Sequence, residues 1–350
     1  MGIKKSLKNI SWNVSEDEYR ADPALSYSTI AKYEREGFNN LSKLFDRIDT
    51  PSLTFGSAVD SLITGGKKEF DERFFVADFP KVSDSLALIT KALFTRYGDE
   101  YRNIHDIPDT IIAEVGKEHN FYAGDKYKDH RVKLIKECNN LYQLMYIAGD
   151  RSVLNTKEYE EIIATVNCLK NSSSTNFYFA EDNPFDLELE RLYQLKFKGS
   201  FDGVNYRNMA DLIVVNHKEK WILPIDLKTS SKPEWDFYKS FIDWRYDIQA
   251  RLYWAIIRQN LDKDDYFKDF KLLDYRFIVV NKHTLTPLVW ECPFTQSSGN
   301  LTFGQNNQIV LRSPFEIGKE LNYYLVNKSS VPKGINVSTV NNLEDWLKEL

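Results

Sequence analysis

Apolar residues recur along this chain in three spacings, and each spacing predicts a different element. From Ser26 or Ser28, either of which can cap a helix, apolar positions repeat at helical intervals through Glu36, where Gly37 supplies a stop. A second short helix is expected over Leu41 to Ile48, before Pro51. Thr54 can cap a third, whose stripe of Phe55, Val59, Leu62 and Ile63 ends at Gly65-Gly66. Residues 69 to 175 continue mainly helical, over Ser83 to Tyr97, Thr110 to His119, Lys126 to Ile147 and Thr156 to Asn171, with NSSST at 171 to 175 marking a break.

The period then shortens. Leu187 to Gly203 alternates charged and apolar residues and reads as strand with one wet or groove-lining face. Leu212 to Val215 and Trp221 to Ile225 are nearly continuous apolar runs joined by the polar NHKEK, a hairpin covered on both faces. A helix from about Tyr246 to Gln259 follows. Tyr275 to Val280 and Leu285 to Trp290, joined by NKHT, make a second hairpin. A polar loop at 296 to 307, a helix from Pro314 to Val326, the linker-like SSVPKGINVST and an amphipathic helix from Asn342 to Leu350 complete the chain. The expected class is α/β (α+β), a central mixed sheet flanked by helices. It divides into a helical region 1–175, a sheet-bearing core 176–295 and a helical tail 296–350.

The first hairpin carries the most suggestive chemistry. With its turn centred near His217 and Lys218, Asp211 falls opposite residue 224 or 225, close to Asp226. Lys228 lies two residues on, so it projects from the same strand face as Asp226, about 7 Å away along the strand. Two adjacent carboxylates repel and share a proton unless a cation lies between them, and an all-oxygen site favours Mg²⁺ or Mn²⁺. A lysine beside such an ion can orient a water or offset the charge of a phosphate. Gln249 and Tyr253, four apart, share one helix face.

Composition narrows the picture. At 42% hydrophobic the chain can bury a large core, and its net charge of −5 predicts no general affinity for polyanions, so nucleic acid would need a local basic patch. Lys4, Lys5 and Lys8 form a short basic arm that reads as a solvated terminus. No apolar run reaches spanning length and no signal-peptide pattern occurs, so a soluble, cytoplasmic protein is expected. The three cysteines, Cys138, Cys168 and Cys292, are too far apart for a CxxC site, which excludes a four-cysteine iron-sulfur cluster.

Asp211 followed by Asp226-Leu227-Lys228 resembles the motif of the PD-(D/E)XK nuclease superfamily in its D...DxK form. Gln249 to Tyr253 is similar to the QxxxY signature of its RecB-type branch, and the Asp226 to Tyr253 block resembles the phage exonucleases of the exodeoxyribonuclease VIII-like group. SYSTIAKYE resembles the SxSxL segment that opens many of these proteins. TFGSAVDSLI is similar to their GxxxH segment, with Asp60 where the histidine is expected. The resemblance implies a restriction-endonuclease-like core and a metal-dependent DNA exonuclease acting in recombination, repair or phage DNA processing. It implies that Asp211, Asp226, the Leu227 carbonyl and Asp60 hold one or two Mg²⁺ or Mn²⁺ ions, with an additional acid from Glu190 or Glu188. Lys228 would position the attacking water. Asp202, in KGSFDG, is an alternative to Asp211 as first acid, and Arg207 stands where relatives often carry lysine. Implied partners are linear double-stranded DNA ends, a single-strand annealing protein and further copies of the chain. A structure-dependent endonuclease and a nuclease-fold binding protein without catalysis remain the competing readings.

Overall fold

Of the two longest strands, the first arises where alternation is densest, and the second starts well before the apolar run Leu212 to Val215. Leu189–Phe201 (β1) and Val204–Asn216 (β2) pair antiparallel from Leu189↔Asn216 to Phe201↔Val204. They turn at Asp202 and Gly203, with φ of 51° and 79°, the left-handed pair that a tight hairpin needs and that an Asp-Gly sequence tolerates. Trp221–Ser230 (β3) pairs with β2 only from Leu212↔Ile225 to Asn216↔Trp221. Beyond that point β2 and β3 part. Leu25 takes up the freed edge of β2, donating to the Asn205 carbonyl and accepting from the Arg207 amide, both at 2.9 Å.

The far half of β3 pairs parallel with Arg276–Asn281 (β5), from Ile225↔Arg276 to Ser230↔Asn281, and its start pairs with Lys271–Leu272 (β4). Pro287–Glu291 (β6) closes the edge antiparallel to β5. The sheet is therefore mixed, in the order β1-β2-β3-β5-β6. A parallel β3–β5 pair requires a crossover, supplied here by helices. The helices of this unit are Glu16–Ala21 (α1), Tyr27–Glu36 (α2), Phe237–Asp243 (α3), Tyr246–Leu261 (α4) and Pro314–Val326 (α5). Ser26 caps α2 by accepting from the Thr29 amide, and Gly37 ends it at φ 63°. Ile248, Leu252 and Ile256 of α4 pack on Phe197, Ile213, Ile222 and Phe277 of the sheet.

This computed structural model describes residues 5–37, 41, 43–45, 50–78, 82–180, 188–304 and 309–327. The expected terminal helix Asn342–Leu350, the linker before it, Lys4 and parts of the 41–48 helix and the 296–307 loop lie outside them. The chain divides into two units. One joins 1–53 to 167–350, and the other comprises 54–166. The first thus includes the N-terminal segment and α5 with the sheet, a different division from boundaries at 175 and 295.

The second unit is helical, with a core of Ile89, Leu93, Ile112 and Tyr142. Its first helix, Pro51–Thr64, starts before Thr54, so Thr54 sits inside it rather than capping it. The expected helix over 126–147 is two, Lys128–Lys136 and Asn139–Ala148, broken at Glu137 and Cys138. A short parallel pair, Phe74–Val76 with Ser152–Leu154, was not legible in the spacing. Among the described residues, no helix is long and apolar enough to cross a membrane.

Candidate active site

The fork where β2 leaves β3 is the place where polar groups enter the core. Ala210 and Ile213, three apart, both face the core, so the two-residue strand period is interrupted at Asp211. Across the ladder, Tyr193↔Leu212 and Leu195↔Ala210 bracket Gln194, which adopts a left-handed φ of 55°. Local backbone distortion of this kind re-aims a side chain. One register step beyond Leu212↔Ile225 sets Asp211 across from Asp226 itself, rather than from residue 224 or 225. The loop spans 217–220, with Lys220 at φ 53°, and is centred one residue later than the sequence suggested. Here β2 and β3 no longer exchange ladder bonds, and the Leu227 amide donates to Asp211 Oδ2 at 3.0 Å.

Asp226 is 1% exposed. Its neighbour in the ladder is Phe277, so it points to the face covered by α4, and there Gln249 Nε2 donates to its Oδ1. Lys228 Nζ lies 2.6 Å from Asp226 Oδ2, an ion pair without hydrogen-bond angles. The same ammonium rests on the Tyr246 ring, 4.9 Å from its centroid. Burial works to lower the Lys228 pKa, but the anionic field of Asp226, then of Tyr246 and Asp211, outweighs it and the net shift is upward. Tyr253 is buried on the same face of α4 as Gln249, its ring 6.1 Å from that of Tyr275. Burial first, then nearby anionic groups including Asp226 and Asp211, hold its phenol well above the usual value. Tyr27 is driven upward by burial likewise, and it too senses Lys228 and Asp226. Neither Tyr27 nor Tyr246 was singled out from sequence for this site, although SYST and the start of the α4 pattern lie on them.

The fork thus gathers Asp211, Asp226, Leu227, Lys228, Gln249 and Tyr253. Glu190 is not among them. It pairs in register with Val215, toward the other end of the hairpin, where Ser6 donates to it and His217 Nε2 lies 3.3 Å from its Oε2. Glu188 is nearby at that end, 3.0 Å from Lys218. Asp202 occupies the β1–β2 turn and pairs with Lys319 at 3.2 Å, so of the two candidate first acids it is Asp211 that meets Asp226. Arg207 is buried with its guanidinium 4.8 Å over the Tyr19 ring. Asp60 is half-buried on Pro51–Thr64 and belongs to the second unit.

Asp226 Oδ2 and Gln249 Oε1 are buried without a hydrogen-bond partner in the protein. Asp226 Oδ2 already faces the Lys228 ammonium, whereas the Gln249 amide oxygen is left without a donor, which is costly unless something electropositive completes it. Among the described residues, no three His, Cys, Asp or Glu side chains come together as a metal-binding group. What the fork itself offers a cation is the pair of carboxylates Asp211 and Asp226, with the Leu227 backbone between them. Such a set fits Mg²⁺ or Mn²⁺, because Mg²⁺ retains waters and is commonly held by one or two carboxylates plus substrate phosphate.

No family model and no curated protein matches this chain. Among solved structures, the crystal structure of a protein named "Putative exonuclease" from Eubacterium rectale is similar at 13% sequence identity and a TM-score of 0.41, over 98% of this chain and 95% of that one.

Proposed function

We propose that this protein is a metal-dependent nuclease of the PD-(D/E)XK type, hydrolysing phosphodiester bonds at DNA ends. The observation that carries the reading is Asp226, a buried carboxylate directly across the fork from Asp211 and ion-paired to Lys228. Burying charge costs several kcal/mol per ion, and here it is borne at a strand fork where a second carboxylate lies opposite.

In this reading Asp211, Asp226 and the Leu227 carbonyl hold Mg²⁺ or Mn²⁺, which when bound polarises the phosphoryl oxygens and activates water. Lys228 orients the attacking water and offsets the negative charge that develops on phosphorus. Gln249 fixes the Asp226 carboxylate through Oδ1, and Tyr253 helps close the face of α4 over it. The products are a 5′-phosphate and a free 3′-hydroxyl.

The test is degradation of end-labelled linear duplex DNA with Mg²⁺ or Mn²⁺, with closed circular DNA as control. Wild type should degrade the linear form alone, and Asp226→Ala and Lys228→Ala should each lower the rate by about 100-fold or more, in the range of removing one electrostatic contributor. Cleavage of the closed circle would favour an endonuclease. Folded wild type that binds DNA and cuts none would overturn the enzymatic reading in favour of a binding protein.

A further inference from the structure

The polar track that begins at Asp226 does not stop at Lys228. The Tyr246 ring that carries the Lys228 ammonium lies 6.3 Å from the Tyr27 ring, and the Tyr27 hydroxyl donates to the Trp244 carbonyl at 2.8 Å. Trp244 is 50% exposed, and the Arg35 guanidinium lies over its indole, 5.0 Å from the ring centroid. Arg35 is exposed as well, and its charge acts on both Tyr27 and Tyr246. The adjacent carboxylate, Glu34, turns the other way, onto Arg245 at 2.7 Å and Arg312 at 3.2 Å. A cation is thus presented over an exposed indole whose backbone is linked to the acid pair through Tyr27, Tyr246 and Lys228.

We infer that Trp244 and Arg35 form a landing for an unpaired DNA strand entering the site, the indole stacking on a base and the guanidinium meeting an adjacent phosphate. This rests on the nuclease reading. Paired bases inside a duplex present no free face to an indole, whereas a base in a single strand does, and stacking of this kind tolerates any sequence. Arginine suits the second role because its plane can lie on an aromatic ring while its N–H edges remain directed outward to phosphate. The net charge of −5 makes such a local cation matter, since the chain has no general attraction for a polyanion.

The experiment measures anisotropy of fluorescein-labelled oligothymidylate, and of a matched oligonucleotide made of abasic sites, with the full chain in EDTA. Wild type should bind the thymidylate roughly 10-fold more tightly than the abasic strand, the scale of one stacked base. Trp244→Ala should erase that preference, and Trp244→Phe should retain much of it. Arg35→Gln should weaken both strands by a common factor. Equal binding of the two strands by wild type, or a preference that survives Trp244→Ala, would overturn the landing. Cleavage of linear DNA together with either result removes the landing alone. Absence of both binding and cleavage removes the nuclease reading with it.

Discussion

At the scale of single residues, the state of Asp226 depends on Gln249. One oxygen accepts from the Gln249 amide and the other faces Lys228, so the carboxylate is fixed about its own axis. Replacing Gln249 by Leu keeps the volume of the α4 face while removing that donor. An outer partner of a ligating carboxylate is typically worth about 10- to 100-fold in metal affinity or activity, and we expect a loss of that size, read as a rightward shift of the Mn²⁺ dependence of cleavage. A variant with wild-type metal dependence would show that Gln249 is only a core amide. The acids themselves were legible, because Asp211 and Asp226-Leu227-Lys228 stand at the ends of two apolar runs. Their register was not, because the left-handed Lys220 lengthens the turn in a way that the polar NHKEK does not announce. Alternation gave Glu190 a strand face but no position along the hairpin, and pairing with Val215 carries it away from Asp226.

At the scale of elements, α4 brings Gln249 and Tyr253 to the sheet, and buried charge holds its first turns. Arg245, with φ 56° at the N-terminus of α4, donates to both Asp247 oxygens at 2.9 and 3.2 Å, to Glu34 at 2.7 Å and to the Arg312 carbonyl at 2.8 Å. Arg251 reaches Asp247 at 3.4 Å and the carbonyls of Ser297 and Gly299. Asp247 is fully buried between two guanidinium groups. Asp247→Ala would leave both cations without their common anion, and breaking a buried pair in this way costs about 3–5 kcal/mol. We expect a clear fall in the urea midpoint, smaller for Asp247→Asn, which keeps one acceptor oxygen. An unchanged midpoint would mean that the guanidiniums are satisfied by Glu34 and their carbonyl partners alone. The helix was visible in its apolar spacing. The buried network was not, since an arginine inside a helix normally reads as surface, and only the loop at Ser297 to Gly299, some fifty positions later, supplies the acceptors that let Arg251 go inside.

At the scale of the molecule, the mixed sheet flanked by helices follows from strands long enough to read and from the helical run between β3 and β5, which makes a parallel pair possible. Charge is the property that would most constrain DNA binding by such a chain. A chain with net charge −5 repels a polyanion at distance, so on the nuclease reading proposed above binding would come from local cations, Lys228 at the fork and Arg35 over Trp244 among them. Each phosphate neutralised on a single strand contributes a slope of about −0.7 to log K against log salt, so a track of three or four contacts gives roughly −2 to −3. We expect that slope for oligothymidylate, reduced by about 0.7 in Arg35→Gln, measured by anisotropy across a salt series. A slope near −6 would require a broad basic surface elsewhere and would displace the fork as the centre of binding. A slope near zero with binding retained would make stacking the main attraction, leaving the phosphates uncontacted until they reach Lys228.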